Sequence, residues 1–272
     1  MSGTLFLVGT PIGNMEDMTF RAVKTLREAD IIACEDTRHS LALLSYYDVK
    51  KPLVSYYKQK EQEGSEYIIG ELKKGKNVAL ITDAGMCCIS DPGSVVVKNA
   101  QDEGLRVTVI PGASAVISAF ALSGITDTNG FCFLGFLPDR NKQRKETAEI
   151  IKGSKVPVIL YMAPHNIEKE CGYLLENIGD RDIVIVKEIT KIYESVIKTK
   201  LSELRLDNTK GEFVVIIKPG NEDNPLLSLS VEKHLEHYIE CGLDKKSAIK
   251  QVAKDRNSSK NEIYQIAINR KE

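Results

Sequence analysis

The strongest constraint on this chain is a series of short apolar runs, rich in β-branched residues and bounded by turn residues. They fall at 4–8, 30–34, 52–56, 78–82, 106–110, 131–134, 156–162, 182–187 and 213–218. Most are continuously apolar rather than alternating, the pattern of strands covered on both faces. Helical periods lie between them. One covers 17–29, with Asp17 placed to cap it. Another covers 92–104, with Asp91 as cap, Pro92 in the first turn and Gly104 at its end. A third covers 113–123 and is closed by Gly124. Strands alternating with helices predict an α/β fold with mostly parallel sheets.

The 272 residues leave room for about two domains of roughly 150 residues. Segment 138–155 breaks the pattern: it is polar, with six basic groups against three acidic, and reads as an exposed basic helix early in a second domain. The stretch 219–225, rich in Gly, Asn, Asp and Pro, reads as a linker. Beyond it, 247–254 has a helical period, and Ser259-Lys260-Asn261-Glu262 is a capping box opening a further short helix. With the turn at 256–258 the pair resembles a helix-turn-helix in outline. The expected division is an N-terminal α/β domain at 1–124, a C-terminal α/β domain at 125–220, and a linker with a helical tail at 221–272.

Thirty-seven basic residues stand against 38 acidic, a net charge of −1, so no global attraction to nucleic acid or membrane is expected. A local patch exists from Gly242 onward, where eight basic residues face four acidic. No apolar run approaches the roughly 20 residues needed to span a bilayer. The opening residues hold no signal-peptide pattern, which predicts a cytoplasmic protein. The six cysteines and four histidines form no zinc-type spacing, and free thiols are expected.

Chemistry-bearing residues gather where the runs end. Gly9-Thr10-Pro11-Ile12-Gly13-Asn14 follows the first run; it is neither a dinucleotide fingerprint nor a P-loop. Asp83, Gly85, Met86, Cys87, Cys88, Ile89, Ser90 and Asp91 follow the fourth, and Pro111-Gly112-Ala113-Ser114-Ala115 the fifth. Loops at strand carboxyl ends are where open α/β sheets place ligands. Glu35-Asp36-Thr37-Arg38-His39 ends the second run with four ionisable groups, suited to proton transfer or phosphate contact. In the second half, His165 after 156–162 reads as a structural histidine. No Ser-His-Asp order and no nucleophile elbow is present, which leaves hydrolysis unsupported.

As an ordered set, Gly9 to Asn14 with Glu16-Asp17-Met18-Thr19, Glu35 to Arg38, Ser90-Asp91-Pro92-Gly93 and Pro111-Gly112 resemble the tetrapyrrole methylase superfamily. Phe136-Leu137-Pro138, Glu188-Ile189-Thr190-Lys191 and Lys210-Gly211-Glu212-Phe213 are similar to its ribosomal RNA branch, the small-subunit RNA 2′-O-ribose cytidine methyltransferases. The resemblance spans about 4–218, and 245–265 is similar to the branch's terminal helices. It implies two α/β domains, a homodimer, and S-adenosylmethionine in the cleft between the domains. The implied cofactor contacts are Ile12, Asp83, Gly85, Met86, Ile89, Ser114, Ala115, Met162 and Glu212, largely through backbone. The implied partner is small-subunit ribosomal RNA or the 30S particle, met by Arg38, the 140–145 segment and the basic tail. Glu35 and Asp36 are the acidic candidates for accepting the ribose hydroxyl proton; Arg38 suits a phosphate, and Lys191 lies near the cleft. Two departures stand out: the branch has Gly-Thr-Pro where this chain has Gly85-Met86-Cys87, and Tyr-Glu-x-Pro-His-Arg where it has Tyr161-Met162-Ala163-Pro164-His165-Asn166. A tetrapyrrole-type small-molecule methylase and a non-catalytic RNA- or nucleotide-binding relative remain open alternatives.

Overall fold

The computed structural model describes residues 2–126, 128–220, 225–256 and 258–268. The chain divides into two compact units, Met1–Pro219 and Gly220–Glu272. Both sheets belong to the first. No helix among the described residues is long and apolar enough to cross a membrane.

The first half runs β1 (Thr4–Val8), α1 (Phe20–Glu28), β2 (Ile31–Cys34), α2 (Thr37–Tyr46), β3 (Leu53–Ser55), α3 (Glu61–Lys73), β4 (Val78–Ile81), α4 (Ser94–Asp102), β5 (Arg106–Ile110) and α5 (Ala115–Ser123). Its sheet, ordered β3-β2-β4-β1-β5, is parallel throughout. Successive strand residues serve opposite faces. Val8, Ile32, Ala79 and Ile81 pack against Ala22 and Leu26 of α1 and Leu43 and Leu44 of α2. Leu5, Ile31, Ala33 and Leu80 pack against Ile68 and Leu72 of α3 and Val96 of α4. Each such side chain contributes roughly 1.5–3 kcal/mol on burial, which is why the runs are apolar without alternation.

The second half holds β6 (Cys132–Phe136), α6 (Asn141–Gly153), β7 (Val158–Met162), α7 (Ile167–Ile178), β8 (Asp182–Lys187), β9 (Ser195–Lys200) and β10 (Phe213–Ile217). Its sheet is ordered β6-β7-β10-β8-β9. Only β6 and β7 are parallel; β10 runs antiparallel to both its neighbours and β9 antiparallel to β8. The expectation of mostly parallel sheets therefore fails here, because no helix crosses over between β8, β9 and β10. Strand β9 has no counterpart among the apolar runs: it is an edge strand whose residues alternate between exposed and half-buried.

One face of this second sheet is covered by α6 and α7. The other is covered by α5, whose Val116 and Ala119 pack on Ile159, Val184, Val186, Val214 and Ile216, with Ile12 and Ile189 in the same cluster. Helix α5 thus belongs in sequence to the first half and in packing to the second. Positions 124 and 125 fall between α5 and β6, with Asp127 in that connection outside the described residues.

Two expected caps differ. Asp17 lies in a short 3-10 turn capped by Asn14, and α1 is opened by Thr19, whose hydroxyl accepts from the Ala22 amide at 3.1 Å. Helix α4 begins at Ser94 behind Gly93, so Asp91 and Pro92 lie outside it and Asp91 caps nothing. Gly124, as expected, closes α5 in the left-handed conformation.

The second unit contains α8 (Val231–Glu240), α9 (Lys245–Asp255) and α10 (Lys260–Ile268) around Leu235, Ile249, Val252 and Ile263. Asp244 caps α9, and the capping box at Ser259 and Glu262 forms reciprocally at 3.0 and 3.2 Å. Residues 221–224 of the linker expected at 219–225, and Asn257 of the expected turn, lie outside the described residues. Helix α8 carries a fully buried His234.

Candidate active site

Glycines let the loops ending β1 and β5 touch. A Cβ on Gly9 would lie 2.7 Å from the Cα of Gly112. The next residue, Thr10, pairs with Gly85 as an isolated antiparallel bridge, and its hydroxyl donates to the Thr82 carbonyl at 3.1 Å. The three loops ending β1, β4 and β5 are thereby tied into one wall. Facing it are the end of β7 and the start of β10.

Between them opens a crevice of about 450 Å³. Ile12, Asp83, Gly85, Met86, Ile89, Ser114, Ala115, Met162 and Glu212 all lie along it, and so does Glu35. The Met162 side chain is buried, its sulfur 3.8 Å from Cys171 Sγ, so 162 offers mainly backbone to the crevice. Phe136 and Tyr161, their ring centroids 5.5 Å apart, add an aromatic surface not expected from the sequence, while the Phe213 ring is buried with Met162 in the core under α6 and α7. Asp91 also lines it. His165 is exposed rather than structural.

The acidic groups of the crevice act on one another. Burial, then the charges of Glu35 and Asp83, push the Asp91 carboxyl up to about 6. Burial and Asp83 also raise Glu35. Burial, with Asp91, lifts the Tyr161 phenol to about 12. Of the non-glycine residues with left-handed backbone, Cys88, Ser90, Glu188 and Thr190 fall in two segments flanking the crevice. Such strain gathers where a surrounding structure over-determines a site.

Asp36 and Arg38 lie outside the lining. The Arg38 guanidinium and amide hydrogen-bond the Asp36 carboxylate, at 2.9 Å for the closest guanidinium contact, and hold it down at about 2. Asp36 also caps α2. It is thus a poor proton acceptor. Lys191 sits in a second, adjoining pocket, its ammonium 3.0 Å from both Glu188 and Glu212. Partial burial opposes its charge, but the two carboxylates more than offset this and its pKa is raised, so it stays a cation.

Similarity to known proteins agrees with this geometry. The family described as Tetrapyrrole (Corrin/Porphyrin) Methylases matches residues 4–205. The chain belongs to the tetrapyrrole methylase family. This methylase is 44% identical to the Ribosomal RNA small subunit methyltransferase I of Halalkalibacterium halodurans, over 97% of its own length and 94% of the relative's. Its identity to the protein of that name from Bacillus subtilis is 42%, covering 96% and 93%. For the one from Haemophilus influenzae it is 39%, covering 98% and 97%. Among solved structures, a diphthine synthase superposes with a TM-score of 0.62 at 16% identity, covering 80% of this methylase and 90% of that chain. A uroporphyrin-III-C-methyltransferase from Thermus thermophilus superposes at 0.55 and 18%, covering 79% and 94%. These structures share the fold of the tetrapyrrole methylase described here.

Proposed function

We propose that the protein is an S-adenosylmethionine-dependent methyltransferase that methylates the ribose 2′-hydroxyl of a cytidine in 16S ribosomal RNA. Its substrate is the RNA or the 30S particle, and it works in the cytoplasm as a homodimer. The supporting observation is the single crevice formed by loops of both sheets, in a chain similar along almost its whole length to small-subunit RNA methyltransferases.

The crevice suits the donor. Glu35, Asp83 and Asp91 provide negative potential for a sulfonium cation. Helix α5 has no side-chain cap, so its first amides are left for an anionic group such as a carboxylate. The aromatic pair of Phe136 and Tyr161 offers a surface to a flat ring. When bound, the sulfonium supplies an activated methyl group. The chain's task is then alignment, which is worth several kcal/mol of barrier, and removal of the hydroxyl proton. Arg38, with 89% of its side chain exposed, and the exposed Arg140, Lys142 and Lys145 of the α6 segment are suited to phosphates. Arg144 differs: it stacks on the Tyr173 ring at 4.3 Å.

The test is methyl transfer from labelled S-adenosylmethionine to unmethylated small ribosomal subunits, followed by nucleoside mass spectrometry. The expected product is 2′-O-methylcytidine, with no transfer to a tetrapyrrole. Label in the tetrapyrrole and none in RNA overturns the assignment. Absence of calorimetric heat with S-adenosylmethionine points instead to a non-catalytic relative.

A further inference from the structure

Beside the crevice lies the second pocket, of about 300 Å³, the lower end of the range for small-ligand sites. The two share Ile12, Asp83, Ala84 and Glu212 as a common wall. Met15 and Leu43 give the second pocket apolar surface, and Ser40 lies in its wall with its buried hydroxyl turned to the Cys34 thiol. On its rim His39 turns Nδ1 toward Asp83 Oδ2 at 3.5 Å, with 63% of the imidazole exposed. Resting on the function proposed above, we propose that this second pocket seats one splayed nucleotide of single-stranded RNA and that His39 is the base that takes its ribose 2′-hydroxyl proton.

Of the ionisable side chains lining this pocket, Asp83 faces the His39 imidazole and the other two are paired with each other. Lys191 is a cation held by two carboxylates, and Glu212 is committed to Lys191. A carboxylate facing Nδ1 favours the tautomer protonated there, which leaves Nε2 free as an acceptor. Asp83 is thus a positioning residue. It belongs to both pockets, so the imidazole it orients stands beside the wall where donor and acceptor meet. Exposure matters as well: a polymer cannot enter a closed cavity, whereas a rim imidazole can be reached by an unstacked nucleotide. The 2′-oxygen bonds to the methyl carbon as the carbon–sulfur bond breaks, its electron pair staying on sulfur. The hydroxyl proton passes to Nε2, and the resulting imidazolium faces the Asp83 carboxylate before releasing the proton to water. The charged groups around His39 are Asp83 beyond β4, Asp36 and Arg38 on its own turn, and Lys191 and Glu212 from the second half.

The experiment compares the full chain with His39→Gln and His39→Ala, using small ribosomal subunits that lack the modification. Turnover is expected to fall about 100-fold or more, the usual contribution of a positioned base. S-adenosylmethionine affinity by calorimetry and subunit binding are expected to stay unchanged, and added imidazole is expected to restore part of the His39→Ala rate. At saturating S-adenosylmethionine, where loss of donor binding no longer shapes the profile, the pH dependence of the wild-type rate is expected to change in His39→Gln. Independently of activity, diethyl pyrocarbonate is expected to label His39 in the free protein and to be blocked by bound subunits, as mapped by peptide mass. Full turnover by His39→Gln with an unaltered pH profile, or labelling that subunits do not reduce, overturns the assignment of His39 alone. A wild-type chain that binds S-adenosylmethionine yet moves no methyl to the subunits overturns the functional reading together with it.

Discussion

Gly9 and Gly112 stand backbone against backbone: a Cβ on either would fall within 3.0 Å of the other's main chain. Met86 closes over the same point, its sulfur 2.7 Å from where a Gly9 Cβ would sit. Backbone cannot yield as a side-chain tip can. Gly9→Ala is therefore expected to force the β1 and β5 loops apart at a cost of about 1–3 kcal/mol. Urea unfolding reads the loss, and calorimetry is expected to show weaker S-adenosylmethionine binding. A variant with wild-type stability and affinity sinks the claim that this contact shapes the crevice.

Asp91 is a carboxyl kept costly to ionise. Its folded-state pKa of about 6 lies above the ordinary 3.8, through burial and then Glu35 and Asp83. The stability it contributes is full below the ordinary value and is lost as pH rises through about 6. Asp91→Asn is thus expected to raise the melting temperature at pH 7.5, with the gain shrinking toward pH 5. The same change is expected to weaken binding of the cationic donor at pH 7.5. Wild-type affinity is expected to fall as pH drops below about 6, and the variant's is not. Parallel pH profiles for the two proteins contradict this.

His234 sets a pH limit on the C-terminal unit. The ring has no exposed surface, accepts at Nδ1 from Arg256 Nε at 3.1 Å, and lies with Nε2 3.2 Å from Asp255 Oδ2. Arg256 also donates to the carbonyls of Leu226 and Leu229, which fastens the segment ahead of α8. Burial, then the Arg256 charge, lowers the imidazole pKa below 6.5 against the pull of Asp255; His237 adds to the lowering. A depressed histidine leaves stability intact above its ordinary value and removes it as pH falls through the folded value. Amide protection in α8 and α9, corrected for intrinsic exchange, is expected to drop as pH is lowered from 7 toward 5. Constant protection over that range refutes the coupling.

The α6 surface offers a test by salt. Arg140→Ala, Lys142→Ala and Lys145→Ala together are expected to weaken subunit binding without altering S-adenosylmethionine affinity. The dependence of log affinity on log salt is expected to flatten by about 1 for each phosphate that the variant no longer neutralises. Arg144→Ala is expected to act differently, costing stability because the Tyr173 ring is left without its guanidinium. An unchanged salt slope in the triple variant removes α6 from the RNA-binding surface.

Much of this architecture is legible in the order of residues. The runs at 30–34 and 78–82 become β2 and β4 nearly to the residue, inner strands buried at every position, because burial on both faces demands unbroken apolar sequence, and 4–8 and 106–110 become β1 and the more exposed edge strand β5. Gly124 and the Ser259–Glu262 box act locally, so their roles survive whatever surrounds them. The true α1 cap is not evident from sequence because Asp17 and Thr19 are both good caps two residues apart, and tertiary packing chose Thr19. Strand β9 pairs with its neighbour in sequence, β8, but as an exposed edge strand it lacks an apolar run, while the antiparallel insertion of β10 between β7 and β8 depends on partners more distant in sequence, which no local pattern encodes.

For the site, sequence alone determined which loops bear glycine, carboxylate and small residues at strand ends, since those residue types are set by what a backbone at such a position can tolerate. Tertiary structure alone decided their chemistry. It left Asp36 to Arg38, locked Lys191 between Glu188 and Glu212, drew Glu35 and Asp83 close enough to Asp91 to raise its pKa, and set His39 against Asp83. Proton affinity depends on charges a few ångströms away through space, and only the folded chain brings those charges together.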